Sequence, residues 1–222
     1  MEITVNNARL SYIKEGAGKP LILLHGSGED RHIFDEIINK LNKKFTVYAI
    51  DSRNHGESEK TGIFTYESMS EDISEFIKML KLDGAYVVGF SDGAIIALMI
   101  GMKYPELIGK MALLGINLKP EDFKKTEYNY LLKEYNETKD PLFKMMLEHP
   151  DIELGKLKDV NIPALVIAGE NDVFYEKTFE NIVETMPNAV LKIMGGHDHS
   201  SYIINQDVLY TDFVEFFNSV RI

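Results

Sequence analysis

Short, nearly uninterrupted apolar segments alternate with segments of helical periodicity along most of this chain, and no other feature restricts its possible folds as much. Strands that are buried on both faces read as continuous apolar runs, because neither face meets water. Parallel strands need helical crossovers, so the alternation predicts an α/β fold with a mostly parallel, doubly wound sheet. The predicted strands are PLILLHG (20–26), FTVYAID (45–51), AYVVGF (85–90), KMALLG (110–115), IPALVIAGE (162–170) and AVLKIM (189–194).

An opening hairpin and one long insertion modify this pattern. ITV and LSYIK near the N-terminus are typical of a hairpin, with NNA as its turn. Residues 117–158 contain no strand-like run and are rich in Lys, Glu, Tyr and Met. We expect them to form a small helical insertion over the end of the sheet, within a single domain spanning residues 1–222. The other predicted helices occupy 33–41, 73–80, 92–104, 175–186 and 202–219.

The composition limits the classes of partner. With 35 acidic and 24 basic residues, the formal net charge is −11, which repels nucleic acid and anionic membranes. The absence of cysteine removes disulfides, thiolate catalysis and zinc–thiolate sites, and it fits a reducing compartment. The N-terminal stretch has no apolar h-region, and the apolar run at 94–102 is too short for a bilayer. We therefore expect a soluble, cytoplasmic protein that acts on a small molecule, and its oligomeric state stays open.

The join between the predicted strand 85–90 and the helix 92–104 carries the pattern G-x-S-x-G, as GFSDG (89–93). A turn this tight requires residues without bulky side chains two positions before and after the serine, and glycine stands at both. The turn raises the Ser91 hydroxyl above the sheet and aims the Asp92 N–H into the same space, where a helix N-terminus stabilises negative charge. The alternative is an ordinary strand–helix join with a serine N-cap. The flanking strand and helix favour a nucleophile.

A nucleophilic serine needs a base, and the base needs an acid that orients it. In a parallel sheet, functional groups gather beyond the C-terminal ends of the strands. Of the six histidines, His25, His197 and His199 follow predicted strands, as does Asp172 in GENDVF (169–174). Serine, aspartate and histidine thus occur in the order of one hydrolase architecture. From the residues alone, His197 and His199 are alternative bases.

Five motifs in the correct order resemble the α/β-hydrolase superfamily over essentially the whole chain. LLHGSGED resembles its oxyanion loop, and IDSRNHGES resembles its D-x-R-G-H-G-x-S turn, with Asn54 where glycine is usual. VVGFSDGAIIAL is similar to its nucleophile elbow, VIAGENDVF to its acid loop and GGHDHSSY to its histidine loop. The resemblance implies an α/β-hydrolase sheet in which residues 117–158 form a short helical cap. It is strongest to small, esterase-like serine hydrolases with a G-F-S-D-G elbow.

The resemblance also implies a role for each motif residue. Ser91 would be the nucleophile and Asp172 the acid. His199 would be the base, because the H-S-S-Y stretch fits the family loop better than the sequence around the other loop histidine. The backbone N–H groups of Ser27 and Asp92 would form the oxyanion hole. No metal or organic cofactor is implied.

These roles predict hydrolysis of a small ester by two-step acyl transfer, as in carboxylesterases. Dehalogenases and epoxide hydrolases resemble this scaffold but place aspartate where this chain has Ser91. The triad does not choose among esters, thioesters and C–C bonds. A receptor-like protein with little turnover is a second class. A metal hydrolase that uses Asp51, His55 and HDH (197–199) is a third, and it leaves the strand–turn–helix around the serine unexplained.

The remaining polar residues of the motifs are interpreted as structural. We expect His25 and Gly26 to shape the oxyanion turn. Asp51 and Arg53 are expected to fix a loop through a charge-assisted hydrogen bond. The side chain of Asp92 is expected to cap the helix that follows.

Overall fold

A computed structural model describes residues 1–219, which form one eight-stranded sheet with helices on both faces. The strands are β1 (Glu2–Val5), β2 (Ala8–Gly16), β3 (Lys19–Leu24), β4 (Phe45–Ile50), β5 (Ala85–Phe90), β6 (Ile108–Leu114), β7 (Ala164–Asn171) and β8 (Ala189–Asp198). They lie in the order β1-β2-β4-β3-β5-β6-β7-β8. The β1–β2 and β2–β4 pairs are antiparallel, and the other neighbours are parallel. The predicted α/β architecture is confirmed.

Helices cover the two faces of the sheet unequally. Residues of α2, α3 and α6 share one apolar core with one face, and residues of α1 and α7 share a second core with the other. Alternate strand residues divide between the cores, as the pleat requires: Ile22 packs in the first, and Leu21 and Leu23 pack in the second. The helices are α1 (Asp35–Leu41), α2 (Tyr66–Met79), α3 (Asp92–Lys103), α4 (Lys125–Thr138), α5 (Pro141–Glu148), α6 (Glu176–Thr185) and α7 (Tyr210–Asn218).

The opening hairpin forms where the sequence predicts it. Asn6 and Asn7, between β1 and β2, have φ values of 45° and 60°. Asparagine tolerates this left-handed region better than most residues, and two such residues in a row make a tight hairpin turn.

The prediction of a helix over 202–219 is wrong for its first half, because α7 begins only at Tyr210. The preceding residues form turns that bury Tyr202 and Ile203 in the core beside α1. Asn205 has a φ of 50°, and its N–H donates to the Ile33 carbonyl at 2.8 Å. A left-handed residue interrupts a helix, so the apolar spacing here reflects turns packed into the core.

Residues 117–158 carry α4 and α5 between β6 and β7, with no strand among them. This insertion is hydrogen-bonded to the loop after β7. The Lys124 N–H donates to the Val173 carbonyl at 2.8 Å, and the Tyr175 N–H donates to the Asp122 carbonyl at 3.0 Å. The insertion therefore lies against the C-terminal edge of the sheet. Within residues 1–219, no helix has both the length and the apolar character that crossing a membrane requires.

Candidate active site

Ser91 stands alone in a strained turn between β5 and α3. Its φ is 51° and its ψ is −115°, a conformation that L-residues seldom adopt. The Ser91 N–H donates to the Leu114 carbonyl at 2.8 Å, which ties the turn to the end of β6. A Cβ added to Gly89 would lie 2.2 Å from the Gly93 carbonyl oxygen, and one added to Gly93 would lie 2.2 Å from that of Leu24. Both glycines are therefore required by close backbone contact.

The loops after β7 and β8 bring an acid and a histidine together. His199 Nδ1 donates to Asp172 Oδ1 at 2.8 Å, and the Asp172 side chain is only 2% exposed. The Asp172 carboxylate also accepts the Gly169 N–H at 3.2 Å and the Phe174 N–H at 3.3 Å. The pairing fixes the proton of His199 on Nδ1, so Nε2 is free to accept a proton.

The His199 imidazole is packed in place. Its ring lies 5.0 Å from the Phe90 ring and 5.3 Å from the Phe174 ring, centroid to centroid. Gly115 has a φ of 55°, and a Cβ there would come within 2.5 Å of His199 Cε1. A residue with a side chain at 115 would therefore displace the imidazole.

His197 lies apart from this pair. Its Nδ1 is 3.1 Å from the Ser201 hydroxyl, and its ring lies 6.2 Å from the Tyr202 ring. It has no hydrogen bond to Asp172 within residues 1–219. Of the two histidines that the sequence leaves open, the structure pairs His199 with the acid.

Ser91 and His199 line the same cavity, of about 300 Å³, at the C-terminal edge of the sheet. The insertion and the loop after β3, which carries the proposed oxyanion donor Ser27 and is called the oxyanion loop, both contribute residues to its lining. The walls are mostly apolar, which suits a small organic ligand with a few polar contacts. The lining residues of the insertion are Phe123, Glu127, Tyr130, Leu131 and Met146, and those of the oxyanion loop are Gly26, Ser27 and Glu29.

The two predicted oxyanion donors flank Ser91. Ser27 lines the cavity, and Asp92 is the first residue of α3. Within residues 1–219, neither backbone N–H is donated to a protein acceptor. An amide at a helix N-terminus lacks an intrahelical partner and favours negative charge, so Asp92 N–H is suited to bind an oxyanion.

The Asp92 side chain does not cap α3. It is buried and accepts the Tyr66 hydroxyl of α2 at 2.8 Å. Burial raises the pKa of Asp92 above its ordinary value, although the hydrogen bond from Tyr66 opposes the shift. This carboxyl therefore joins α2 to the turn, a tertiary contact that local helix-capping rules do not predict.

Asp51 and Arg53 are charge-paired as expected, but with different partners. Asp51 accepts the Arg31 N–H at 2.8 Å and also pairs with the Arg31 guanidinium. Arg53 makes two hydrogen bonds of 2.6 Å to Asp72 of α2. Each pair is buried, so the start of the loop after β4 is anchored both to Arg31 and to α2.

His25 shapes the loop after β3, which the sequence predicts to be the oxyanion loop. Its Nδ1 donates to the Gly26 carbonyl at 2.7 Å, and its Nε2 accepts the Ser52 N–H at 3.0 Å. Burial lowers the pKa of His25 to about 4. The imidazole is therefore neutral at pH 7 and serves to hold two loops together.

Sequence reasoning missed Glu29, which lines the cavity beside Ser91 and His199. One of its carboxylate oxygens accepts the Gly26 N–H at 3.0 Å. Burial raises the pKa of Glu29 to about 7, the Gly26 hydrogen bond and the nearby His199 opposing the shift. Its place just after β3, at the edge where the other site residues gather, is the signal that could have found it.

No group of three or more His, Asp or Glu side chains within residues 1–219 is arranged to hold a metal ion. Of the residues considered for a metal site, Asp51 is paired with Arg31, and His55 Nδ1 donates to the Arg53 carbonyl at 2.9 Å. Both are buried in the loop after β4, and His197 bonds to Ser201 on a different loop.

Comparison with known proteins identifies the scaffold. The model of the alpha/beta hydrolase fold family matches residues 19–139, more than half of the chain. The enol-lactonase of Burkholderia xenovorans LB400 superposes with a TM-score of 0.80 at 20% identity, covering 99% of this chain and 100% of the lactonase. The likeness shows a shared fold over the whole length.

Two curated relatives match part of the chain. The probable alcohol acetyltransferase of Cyberlindnera fabianii is 37% identical over 100 residues, which is 44% of this chain and 27% of the relative. The soluble epoxide hydrolase of Corynebacterium sp. (strain C12) is 33% identical over 114 residues, which is 50% of this chain and 40% of the relative. The matched stretches therefore span less than half the length of these relatives.

Proposed function

The chain belongs to the alpha/beta hydrolase fold family, and on that premise we propose that it is a serine hydrolase that cleaves a small carboxylic ester through an acyl-enzyme. Ser91 is the nucleophile, His199 the base and Asp172 the acid. The observation that carries the proposal is the 2.8 Å hydrogen bond between His199 Nδ1 and buried Asp172, beside a cavity that His199 shares with Ser91.

Acylation begins when the Ser91 hydroxyl attacks the ester carbonyl carbon. His199 Nε2 takes the hydroxyl proton, and Asp172 stabilises the imidazolium that forms. The same proton then passes to the alcohol oxygen as the C–O bond breaks. The positive φ of Ser91 supports this step, because it lifts the hydroxyl out of the helix into the cavity.

The N–H groups of Ser27 and Asp92 stabilise the oxyanion of the tetrahedral intermediate. Such donors act best when they are already aligned and need no rearrangement, and losing one typically costs on the order of 3 kcal/mol in the barrier. Water then attacks the acyl-serine, with His199 again as base, and releases the acid.

The cavity supports a small substrate. Its volume of about 300 Å³ is at the lower end for ligand pockets. We propose that the insertion acts as a cap, because Phe123, Leu131 and Met146 from it form an apolar wall facing the serine. The formal net charge of −11 favours a small-molecule substrate over nucleic acid, and we propose a cytoplasmic location because the chain lacks cysteine.

Transfer of the acyl group to an alcohol is a second candidate. The similarity to a protein named as a probable alcohol acetyltransferase favours it, and an apolar cavity would admit a small alcohol beside the acyl-serine. The similarity to the soluble epoxide hydrolase does not suggest epoxide hydrolysis here. Epoxide hydrolases resemble this scaffold but place aspartate at the nucleophile position, where this chain has Ser91. Product analysis with ethanol present separates hydrolysis from transfer.

The test is labelling with a fluorophosphonate, read by intact mass. We expect one adduct on the wild-type protein and none on Ser91→Ala, because only a serine with a base and an oxyanion hole reacts readily. A panel of p-nitrophenyl esters with short acyl chains then measures turnover.

Two results would contradict the proposal. An unlabelled wild-type protein would mean that Ser91 is not activated, and binding of a small ligand without reaction would then favour the receptor-like alternative. An adduct that persists in Ser91→Ala would place the reactive group elsewhere.

A further inference from the structure

Two carboxylates line the cavity beside the proposed nucleophile. Glu29 comes from the loop after β3 and Glu127 from α4. No lysine or arginine is among the described residues that line it. A pocket with this charge balance disfavours anionic ligands and favours cationic ones.

Glu29 is held at the reacting end of the cavity. Its Oε2 accepts the Gly26 N–H at 3.0 Å, and a Cβ on Gly26 would lie 3.1 Å from Ser91 Cβ. The loop that carries Glu29 is therefore in direct contact with the serine turn. Within residues 1–219, Glu29 Oε1 accepts no hydrogen bond, so one oxygen is left for a ligand.

Aromatic rings surround the same space. Phe123 and Phe174 face the cavity with ring centroids 4.6 Å apart, and Phe90 and Tyr130 also line it. Ring faces attract ammonium groups, and the attraction is stronger where water is excluded. A carboxylate among aromatic rings is a suitable environment for an organic cation.

We propose that the cavity selects esters that carry a cationic group, a protonated amine or a quaternary ammonium, and that Glu29 recognises the charge. The inference rests on the proposed serine-hydrolase function and names its substrate class. Glu127 adds charge on the cap side, and the aromatic rings enclose the methyl or methylene groups of the cation.

Ionisation of Glu29 makes the recognition dependent on pH. The titratable groups near it are His199, Asp92 and Asp30, and Glu127 lines the same cavity. The pKa of Glu29 is raised to about 7 by burial, so the side chain becomes fully anionic only as the pH rises past this value. Preference for a cation should therefore increase between pH 6 and pH 8.

The experiment compares two phosphonothiolate probes that label serine hydrolases. One has a 2-(trimethylammonio)ethyl thiol as leaving group, and the other has the neutral 3,3-dimethylbutyl thiol of the same shape. In each reaction the Ser91 oxygen bonds to phosphorus while the thiolate leaves. The ratio of the labelling rate constants measures charge preference, because the two leaving groups have the same shape and differ in charge.

We expect the cationic probe to react at least tenfold faster at pH 8. The ratio should fall several-fold at pH 6. In Glu29→Gln it should fall several-fold at pH 8, to the level that Glu127 and the aromatic rings sustain, and it should lose its pH dependence. Glu36→Gln is the matched control. Glu36 is exposed on α1, so its substitution removes the same net charge at a position away from the cavity. Its ratio should equal that of the wild type.

The outcomes separate this inference from the proposed function. If neither probe labels Ser91, the serine-hydrolase proposal fails and this one fails with it. If both probes label Ser91 at similar rates, or if Glu29→Gln and Glu36→Gln change the ratio alike, the serine is active and only the cation selection is wrong.

Discussion

The Asp172 carboxylate determines which nitrogen of His199 carries the proton. Asp172 is held by two backbone N–H groups as well as by His199, so its orientation does not depend on the histidine. An asparagine at the same position could turn its amide NH₂ toward Nδ1 and stabilise the opposite tautomer. His199 Nε2 would then carry a proton and could not act as a base.

We therefore expect Asp172→Asn to lower the rate of fluorophosphonate labelling and of ester turnover by about 10³- to 10⁴-fold. The fold should persist, because asparagine retains the size of the side chain. Labelling kinetics followed by intact mass give the rate, and circular dichroism checks the fold.

His197→Ala serves as the matched histidine control. His197 bonds to Ser201 and, within residues 1–219, makes no hydrogen bond to Asp172. We therefore expect the labelling rate of His197→Ala to stay within about threefold of that of the wild type. If His197→Ala loses as much activity as His199→Ala, the assignment of the base to His199 is wrong.

The turn between β5 and α3 depends on two glycines for steric reasons. We expect Gly89→Ala to lower the free energy of unfolding by about 3 kcal/mol, because the new methyl group would contact the backbone at Gly93. In a chain of this size, the corresponding decrease in Tm is about 6–12 °C. Thermal unfolding followed by circular dichroism measures it.

Gly195→Ala is the matched control for this substitution. Gly195 lies in β8, and an added Cβ there would meet nothing within 4 Å. We expect its Tm to change by less than about 2 °C. Equal shifts for the two variants would contradict the steric argument, because an added methyl group meets the backbone at position 89 and nothing at position 195.

Elements with strong periodicity could be predicted from the sequence, and those set by tertiary contacts could not. The six apolar strands and α3 lie close to their predicted positions, because burial on both sides leaves an unbroken apolar run. The segment before α7 misled the prediction, since turns packed into a core can show the same spacing as a helix. The positive φ of Asn205 interrupts a helix through this segment, and the pattern of a single sequence does not reveal this backbone angle.

The site shows the same division. The glycines at 89 and 93 could be predicted from the motif. The contact that requires Gly89 lies within the turn, and the one that requires Gly93 is with Leu24 of β3. The partner of Asp172 depends on how two loops meet in space, so His197 and His199 could not be separated by residue order alone. Glu29 was missed because its hydrogen bond to Gly26 and its burial arise only in the folded loop.

Buried His25 and half-buried Glu29 give the whole molecule opposing dependences of stability on pH. The pKa of His25 is lowered to about 4, so its stabilising contribution is complete above pH 6.5 and is lost as the pH falls toward 4. The pKa of Glu29 is raised to about 7, so its contribution is complete below pH 4.5 and is lost as the pH rises toward 7. Between pH 4.5 and 6.5 the two largely cancel.

Replacing Glu29 removes one side of this balance. As the pH falls from 6.5 to 4.5, the wild type gains stability because Glu29 takes up a proton, and Glu29→Gln has no such gain. We therefore expect the free energy of unfolding of Glu29→Gln, measured relative to that of the wild type, to decrease by about 2 kcal/mol over this range. Urea titrations at each pH provide the measurement. A difference between the two proteins that is constant over this range would mean that Glu29 titrates normally in the folded state.

The position of β8 has a consequence for biosynthesis. This strand lies at the edge of the sheet and pairs with β7, and the His199 loop follows it directly. Ser91 and its turn belong to β5 and α3, which leave the ribosome much earlier. A growing polypeptide therefore displays Ser91 without His199 until β8 and the loop after it have been synthesised. We expect nascent chains that end before this loop to be inert toward the esters that the proposed hydrolase would cleave.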